Sequence, residues 1–240
     1  MVDSILEEKL SALLDRLKAA LGERLVSAIL YGSAAAGDWN EQASDLNVLC
    51  VLTQLTPHEL LQSEPVFRWW REQGNPPPLL LSEEEVRTST DCFPMEYHDI
   101  QEHRRVLFGK DVIEGLVIDR SFYRAQVEHE LRAKQIRLRQ KAAEVLSSPE
   151  RLTALLTDSI STFCVLGRHA LILSGSTPRW KKPEIVAALE DAMRRSLTAM
   201  NEILAVRAAG KKAANDAPAL LGSYLKEVDS LVRFVDGLDR

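Results

Sequence analysis

The sequence predicts an α+β module over residues 1–119 followed by an all-helical bundle over residues 120–240. Three observations carry this division. Two short apolar runs, Val26–Tyr31 and Asp45–Leu52, read as strands on either side of a glycine-containing turn. No β pattern follows residue 119, where long helical stripes take over. Charge changes sign at the same place. Residues 1–119 hold 10 Lys+Arg against 21 Asp+Glu and residues 120–240 hold 20 against 14, balances of −11 and +6 within a total of −5.

In chain order, Ser4-Ile5-Leu6-Glu7 has the form of a capping box, and Leu6, Leu10, Leu13, Leu14, Leu17 and Leu21 continue a helical stripe to Gly22. Thr56-Pro57-His58-Glu59 is a second capping box, with proline at the first helical position, opening a helix towards Gln73. Leu79–Leu81 reads as a short strand. Ser82 then caps a helix whose first turn holds Glu83, Glu84 and Glu85, acids at its positive end. Phe93–Ile100 alternates as a strand would, and Gly109 closes the module. Beyond it, Val127, Leu131, Leu138, Ala142 and Val145 mark a basic helix. Ser148-Pro149 opens an apolar helix through Leu166, and further helices are expected over Pro183–Met193 and Ala217–Leu238.

Composition bounds the function. A chain that is 45% hydrophobic and 27% charged is an ordinary soluble globular protein. The first ten residues alternate charged and apolar positions as a helix does, not as a secretory leader does. Thr162–Leu173, the longest apolar stretch, is interrupted by Arg168 and His169 and is too short for a membrane span. Cys50, Cys92 and Cys164 have no metal-ligand spacing and suit reduced thiols in a cytoplasmic protein. The net negative charge argues against nucleic acid as the main partner. A homodimer is left open.

The chemistry concentrates in Tyr31–Leu49, YGSAAAGDWNEQASDLNVL. A strand entering Gly32-Ser33 and three alanines presents backbone N–H groups and a hydroxyl to a phosphate. On the next strand Asp45 and Asn47 share one face by alternation, with Leu46, Val48 and Cys50 on the other. Two oxygen ligands beside a phosphate cradle suit a Mg²⁺ ion.

This segment resembles the nucleotidyltransferase superfamily typified by DNA polymerase β and the aminoglycoside adenylyltransferases. Its pattern is Gly-Ser, a spacer, then Asp-x-Asp or Asp-x-Glu; here these positions are Gly32, Ser33, Asp45 and Asn47. The resemblance implies a mixed sheet flanked by helices with a helical domain behind it. It implies a nucleoside triphosphate, ATP by preference, bound with Mg²⁺ through Asp45 and Asn47. It also implies nucleotidyl transfer to a hydroxyl of a small-molecule or protein acceptor, and a bacterial setting. The family's third acid, base or metal ligand on a neighbouring strand, falls by resemblance on Glu96, with Asp99 second. Asn47 departs from the pattern: an amide oxygen ligates without charge and bridges two ions poorly. A catalytically degenerate nucleotide-binding or regulatory protein, and a toxin–antitoxin-like partner protein, therefore stand as alternatives.

Several further residues have both a functional and a structural reading. Arg124 and His129 match an Arg-x4-His spacing used by some helical ribonuclease toxins, a match expected by chance in an arginine-rich helix. Arg104 and Arg105 are placed to meet a nucleotide. Trp69, Trp70 and Trp180 can stack a base or simply pack.

Overall fold

The computed structural model describes residues 2–37, 46–210 and 214–238. The chain divides into two compact units, Met1–Arg120 and Ser121–Arg240. The first unit is built on a mixed four-stranded sheet. Its strands are β1 (Leu25–Tyr31), β2 (Asn47–Leu52), β3 (Leu79–Ser82) and β4 (Arg104–Gly109), in the order β3-β2-β1-β4. β1 runs antiparallel to both β2 and β4, and β3 runs parallel to β2.

Alternation along the strands sorts the side chains onto two apolar faces. Leu30, Val48, Cys50 and Leu52 join the leucine stripe of α1 (Val2–Leu21), Leu6, Leu10, Leu13, Leu17 and Leu21, together with Val66 and Trp70 of α2 (Pro57–Glu72). Ile29, Leu49 and Val51 meet Val86 of α3 (Glu83–Thr88) and Tyr97 and Ile100 of α4 (Pro94–Glu102) on the opposite face. With both faces covered, β1 and β2 read as nearly continuous apolar runs.

The capping box expected at Thr56 and the helix start expected at Ser82 both hold. Each residue caps its helix in a reciprocal capping box, with Glu59 and Glu85 at the third helical position. At the amino terminus the helix starts at Val2, so Ser4 and Glu7 lie within it rather than at its cap. Glu7 instead pairs with Arg105 across to β4. The larger correction concerns Phe93–Ile100, expected as a strand and observed as the start of α4. Pro94 occupies the first helical position, and the Tyr97 N–H donates to Phe93 O at 3.1 Å. Met95 and Tyr97 are buried under either periodicity, so the alternation was ambiguous. The burial of His98 beside them fits only a helix. The strand lies further on, in Arg104–Gly109.

The second unit contains only helices among the described residues: α5 (Tyr123–Val145), α6 (Pro149–Leu173), α7 (Lys182–Met193), α8 (Thr198–Ala208) and α9 (Ala217–Asp236). α5 buries Tyr123, Val127, Leu131, Gln135, Leu138 and Ala142, a stripe with steps of three and four. α8 was not expected from the sequence. Its amino terminus has no side-chain cap of its own; the buried Glu227 of α9 supplies one, accepting the N–H groups of Ala199 and Met200 at 2.8 Å each. No described helix is long and apolar enough to cross a membrane.

Two packing constraints yield predictions. Gly109, at φ +74, ends β4 against β1, and a Cβ there would lie 2.0 Å from Val26 O. Gly109→Ala is expected to cost about 3 kcal/mol or more, through left-handed strain and separation of the two strands, in a urea unfolding curve. Glu59 is buried and its carboxyl is held below the usual glutamate value, chiefly by the Thr56 hydroxyl, with the Thr56 N–H (3.0 Å) and the Arg24 charge adding to it against the cost of burial. A depressed folded-state pKa gives stability above the unfolded value that is lost as pH falls through the folded one. Unfolding at pH 7 and pH 3 should therefore show a smaller acid loss in Glu59→Gln than in the parent.

Candidate functional site

The site is built where β1 ends. Tyr31 is paired with Asn47 on one side and Arg104 on the other, so three strands deliver their ends to one place. The chain leaves β1 through Gly32, whose φ of +77 an L side chain rarely adopts. A compact turn follows: the Ala36 N–H donates to Gly32 O at 3.0 Å, and the Gly37 N–H to Ala34 O at 3.4 Å. Ala34 is buried in the α1–α2 face and pins the turn to the core. These bonds leave the N–H groups of Ser33, Ala34 and Ala35 outside the turn's internal hydrogen bonding, as at the start of a helix. The Ser33 hydroxyl has no hydrogen bond among the described residues.

Asn47 opens β2 directly beside this turn. Its Nδ2 lies 3.4 Å from where a Cβ on Gly32 would stand, so the amide is packed against the glycine. Any larger residue at position 32 would meet both the left-handed backbone and this amide. Val48 and Cys50 face the other way, into the α1–α2 core, as alternation required. Asp45, the other half of the Asp-x-Asn pair, lies outside the described residues.

Glu96 and Asp99 stand on α4 rather than on a strand, Glu96 exposed in its first turn and Asp99 half-buried. Both nevertheless act on the same place. The Tyr31 phenol is pushed up to about 12, first by burial and then by the charges of Glu96, Asp99 and Cys50. The structure thus brings Gly32, Ser33 and Asn47 together, with Glu96 and Asp99 near enough for their charge to reach Tyr31.

The flanking arginines are engaged elsewhere. Arg104 donates from Nε to both oxygens of Asp111, at 2.8 and 3.1 Å, and from its terminal nitrogen to Gln101 O at 2.7 Å. Arg105 makes a two-pronged pair with Glu7 at 2.6 and 3.2 Å. Trp70 is fully buried, while Trp69 stacks under Arg16 and Trp180 stacks under Arg168 at 3.9 Å. Arg124 is paired with Glu128, while His129 is exposed on the same helix. The missed contributors are Tyr31 and α4; the Pro94 start was the signal that could have shown α4.

A nucleotidyltransferase-like site would hold Mg²⁺. Among the described residues no three His, Cys, Asp or Glu side chains gather in a metal-binding group. The four strands carry no carboxylate at all among those residues. The described acids whose charge reaches Tyr31 are Glu96 and Asp99 of α4.

The sheet, its flanking helices and the following helices together make a nucleotidyltransferase-like α+β fold. Among solved structures the chain is similar to the spectinomycin adenyltransferase AAD(9) from Enterococcus faecialis, crystallised with ATP and spectinomycin. The two are 15% identical with a TM-score of 0.62, and the match covers 96% of this chain and 99% of that one. No protein-family model matches the chain, and no curated protein matches it in sequence.

The influence of α4 on Tyr31 is directly measurable. In a spectrophotometric titration of the four tyrosines, Tyr31→Phe should remove one phenol that ionises near pH 12. Glu96→Gln should lower that phenol's pKa. An unshifted titration in Glu96→Gln would place its carboxylate too far from β1 to act there.

Proposed function

We propose that the chain binds a nucleoside triphosphate, ATP by preference, at the Gly32–Ser33 turn and transfers its nucleotidyl group to a hydroxyl acceptor. The observation that carries this reading is the turn itself. A left-handed glycine, three N–H groups outside the turn's own hydrogen bonds and a serine hydroxyl lie beside the head of β2. That arrangement suits an anionic phosphate chain approaching backbone. The fold shared with an adenyltransferase crystallised with ATP supports the choice of nucleotide.

In the proposed reaction Gly32 and Ser33 hold the phosphates, and Asp45 and Asn47 would hold, through oxygen, a Mg²⁺ ion accompanying the nucleotide. That ion would offset the repulsion between the triphosphate and the nearby acidic groups. The acceptor hydroxyl oxygen forms a bond to the α-phosphorus as the α–β bridging P–O bond breaks. Pyrophosphate leaves with the electron pair. The hydroxyl proton passes to Glu96, or to Asp99 as second choice. The chain's contribution is positioning and charge complementarity for an in-line displacement. The domain boundary near residue 120, a cytoplasmic location and a small-molecule or protein acceptor belong to this same reading.

One observation favours a second reading, nucleotide binding without transfer: the described strands lack any acid, and Asn47 fills a position where a carboxylate would be expected. Calorimetric titration with ATP and GTP, with and without Mg²⁺, tests the common core of both. Metal-dependent binding that weakens at least about tenfold (1.4 kcal/mol) in Asp45→Ala is expected. A flat titration with folded protein would overturn both readings. Pyrophosphate release in the presence of candidate hydroxyl acceptors then separates them: release abolished by Asp45→Ala supports transfer. Release that appears only in Asn47→Asp supports binding without it.

A further inference from the structure

The helical unit has a cationic groove between α5 and α6. Lys134, Arg137, Leu138 and Lys141 lie on one face of α5, at steps of three and four residues. Leu155, Asp158, Ser159, Thr162 and Phe163 do the same on α6. Together they line a cavity of about 200 Å³ between the two helices. Its floor is apolar, with Leu138 and Phe163 buried in the bundle. Its rim is charged, with three cations against the single carboxylate of Asp158.

The charges at the rim are unequally neutralised. Arg132 and Arg124 elsewhere on α5 share Glu128, and Lys134 is 3.4 Å from Glu130. Neither Arg137 nor Lys141 has an ion pair among the described residues; Arg137 donates only to Gln140, at 3.4 Å. The Thr162 hydroxyl has no hydrogen bond among those residues either. With Lys134 paired to Glu130, Arg137 and Lys141 against Asp158 leave the rim net positive, which suits the negative charge of a phosphomonoester. The volume is below the roughly 300–1,000 Å³ of pockets that bury larger ligands, which sets the size of the organic part. An extended polyanion would need a longer cationic track than one cavity with three cations.

We infer that the α5–α6 groove binds a small phosphate ester, with its phosphate between Arg137, Lys141 and Lys134 and its organic group over Leu138, Leu155 and Phe163. This site is independent of the nucleotide reading, since every residue in it belongs to the helical unit.

The test is calorimetric titration of the whole chain with inorganic phosphate and with phenyl phosphate. Phenyl phosphate is expected to bind more tightly, because its ring covers the apolar floor. Arg137→Gln/Lys141→Gln should weaken binding of both probes at least about tenfold (1.4 kcal/mol). Asp158→Asn should strengthen it by removing a repelling charge, and Arg139→Gln, on α5 outside the lining, should leave it unchanged. Circular dichroism verifies that each variant is folded. Three outcomes would overturn the assignment. One is no binding of either probe to the parent chain. Another is binding lost in Ser33→Ala but untouched by Arg137→Gln/Lys141→Gln, which places the phosphate at the Gly32–Ser33 turn. The third is tight binding of a single-stranded oligonucleotide with no response to either phosphate probe.

Discussion

The antiparallel pairing of Tyr31 with Asn47 is the constraint on which the candidate site rests. It fixes where β1 ends and β2 begins, and so holds the Gly32–Ser33 turn beside the first residue of β2. The pairing is rigid because both faces of the two strands are buried. Ile29, Leu49 and Val51 are covered on one side, and Leu30, Val48 and Cys50 on the other. A one-residue slip would exchange these two faces and bury Asn47 while displacing a core side chain. The Gly32–Ser33 turn is thus positioned by packing that has no chemistry of its own. α4 is held to the same frame through Tyr97 and Ile100, which is how its carboxylates come within electrostatic reach of Tyr31.

Most of the fold was legible because its signals were local. The capping box at Thr56 carries its geometry in four residues and forms as expected, and the helix expected to start at Ser82 does so there, with a capping box as well. Gly32-Ser33 after an apolar run likewise forms a turn at the end of β1. The failures share a physical cause. In α4, burial of adjacent side chains by tertiary packing overrode an alternation that fitted a strand equally well, and Arg104–Gly109 was hidden because its two arginines mask an edge strand. α8 escaped notice because its cap comes from Glu227, far along the chain, and no local pattern announces a cap supplied by another helix. The candidate site was legible as a list of residue types. Which element carried Glu96 was not, since that depends on how α4 packs.

The two units carry opposite charge, and each uses its charge differently. In the first, the described strands carry no acid. A phosphate chain bound at the Gly32–Ser33 turn, as proposed, would call for an accompanying cation beside the nearby acidic groups. In the second, several cations on α5 are tied to Glu128 and Glu130, and the excess faces the α5–α6 groove. Within a chain of net charge −5, the two proposed anion sites differ in kind, one formed by backbone and one by side chains.

If the N–H groups following Gly32 receive phosphate, amide chemical shifts report that contact directly. In ¹⁵N-labelled protein, addition of ATP with Mg²⁺ should move the amide resonances of Ser33, Ala34 and Ala35 more than those of the sheet interior. The Asn47 side-chain amide should move with them. Saturable ATP binding that leaves all four resonances in place would contradict the account and put the nucleotide elsewhere on the molecule.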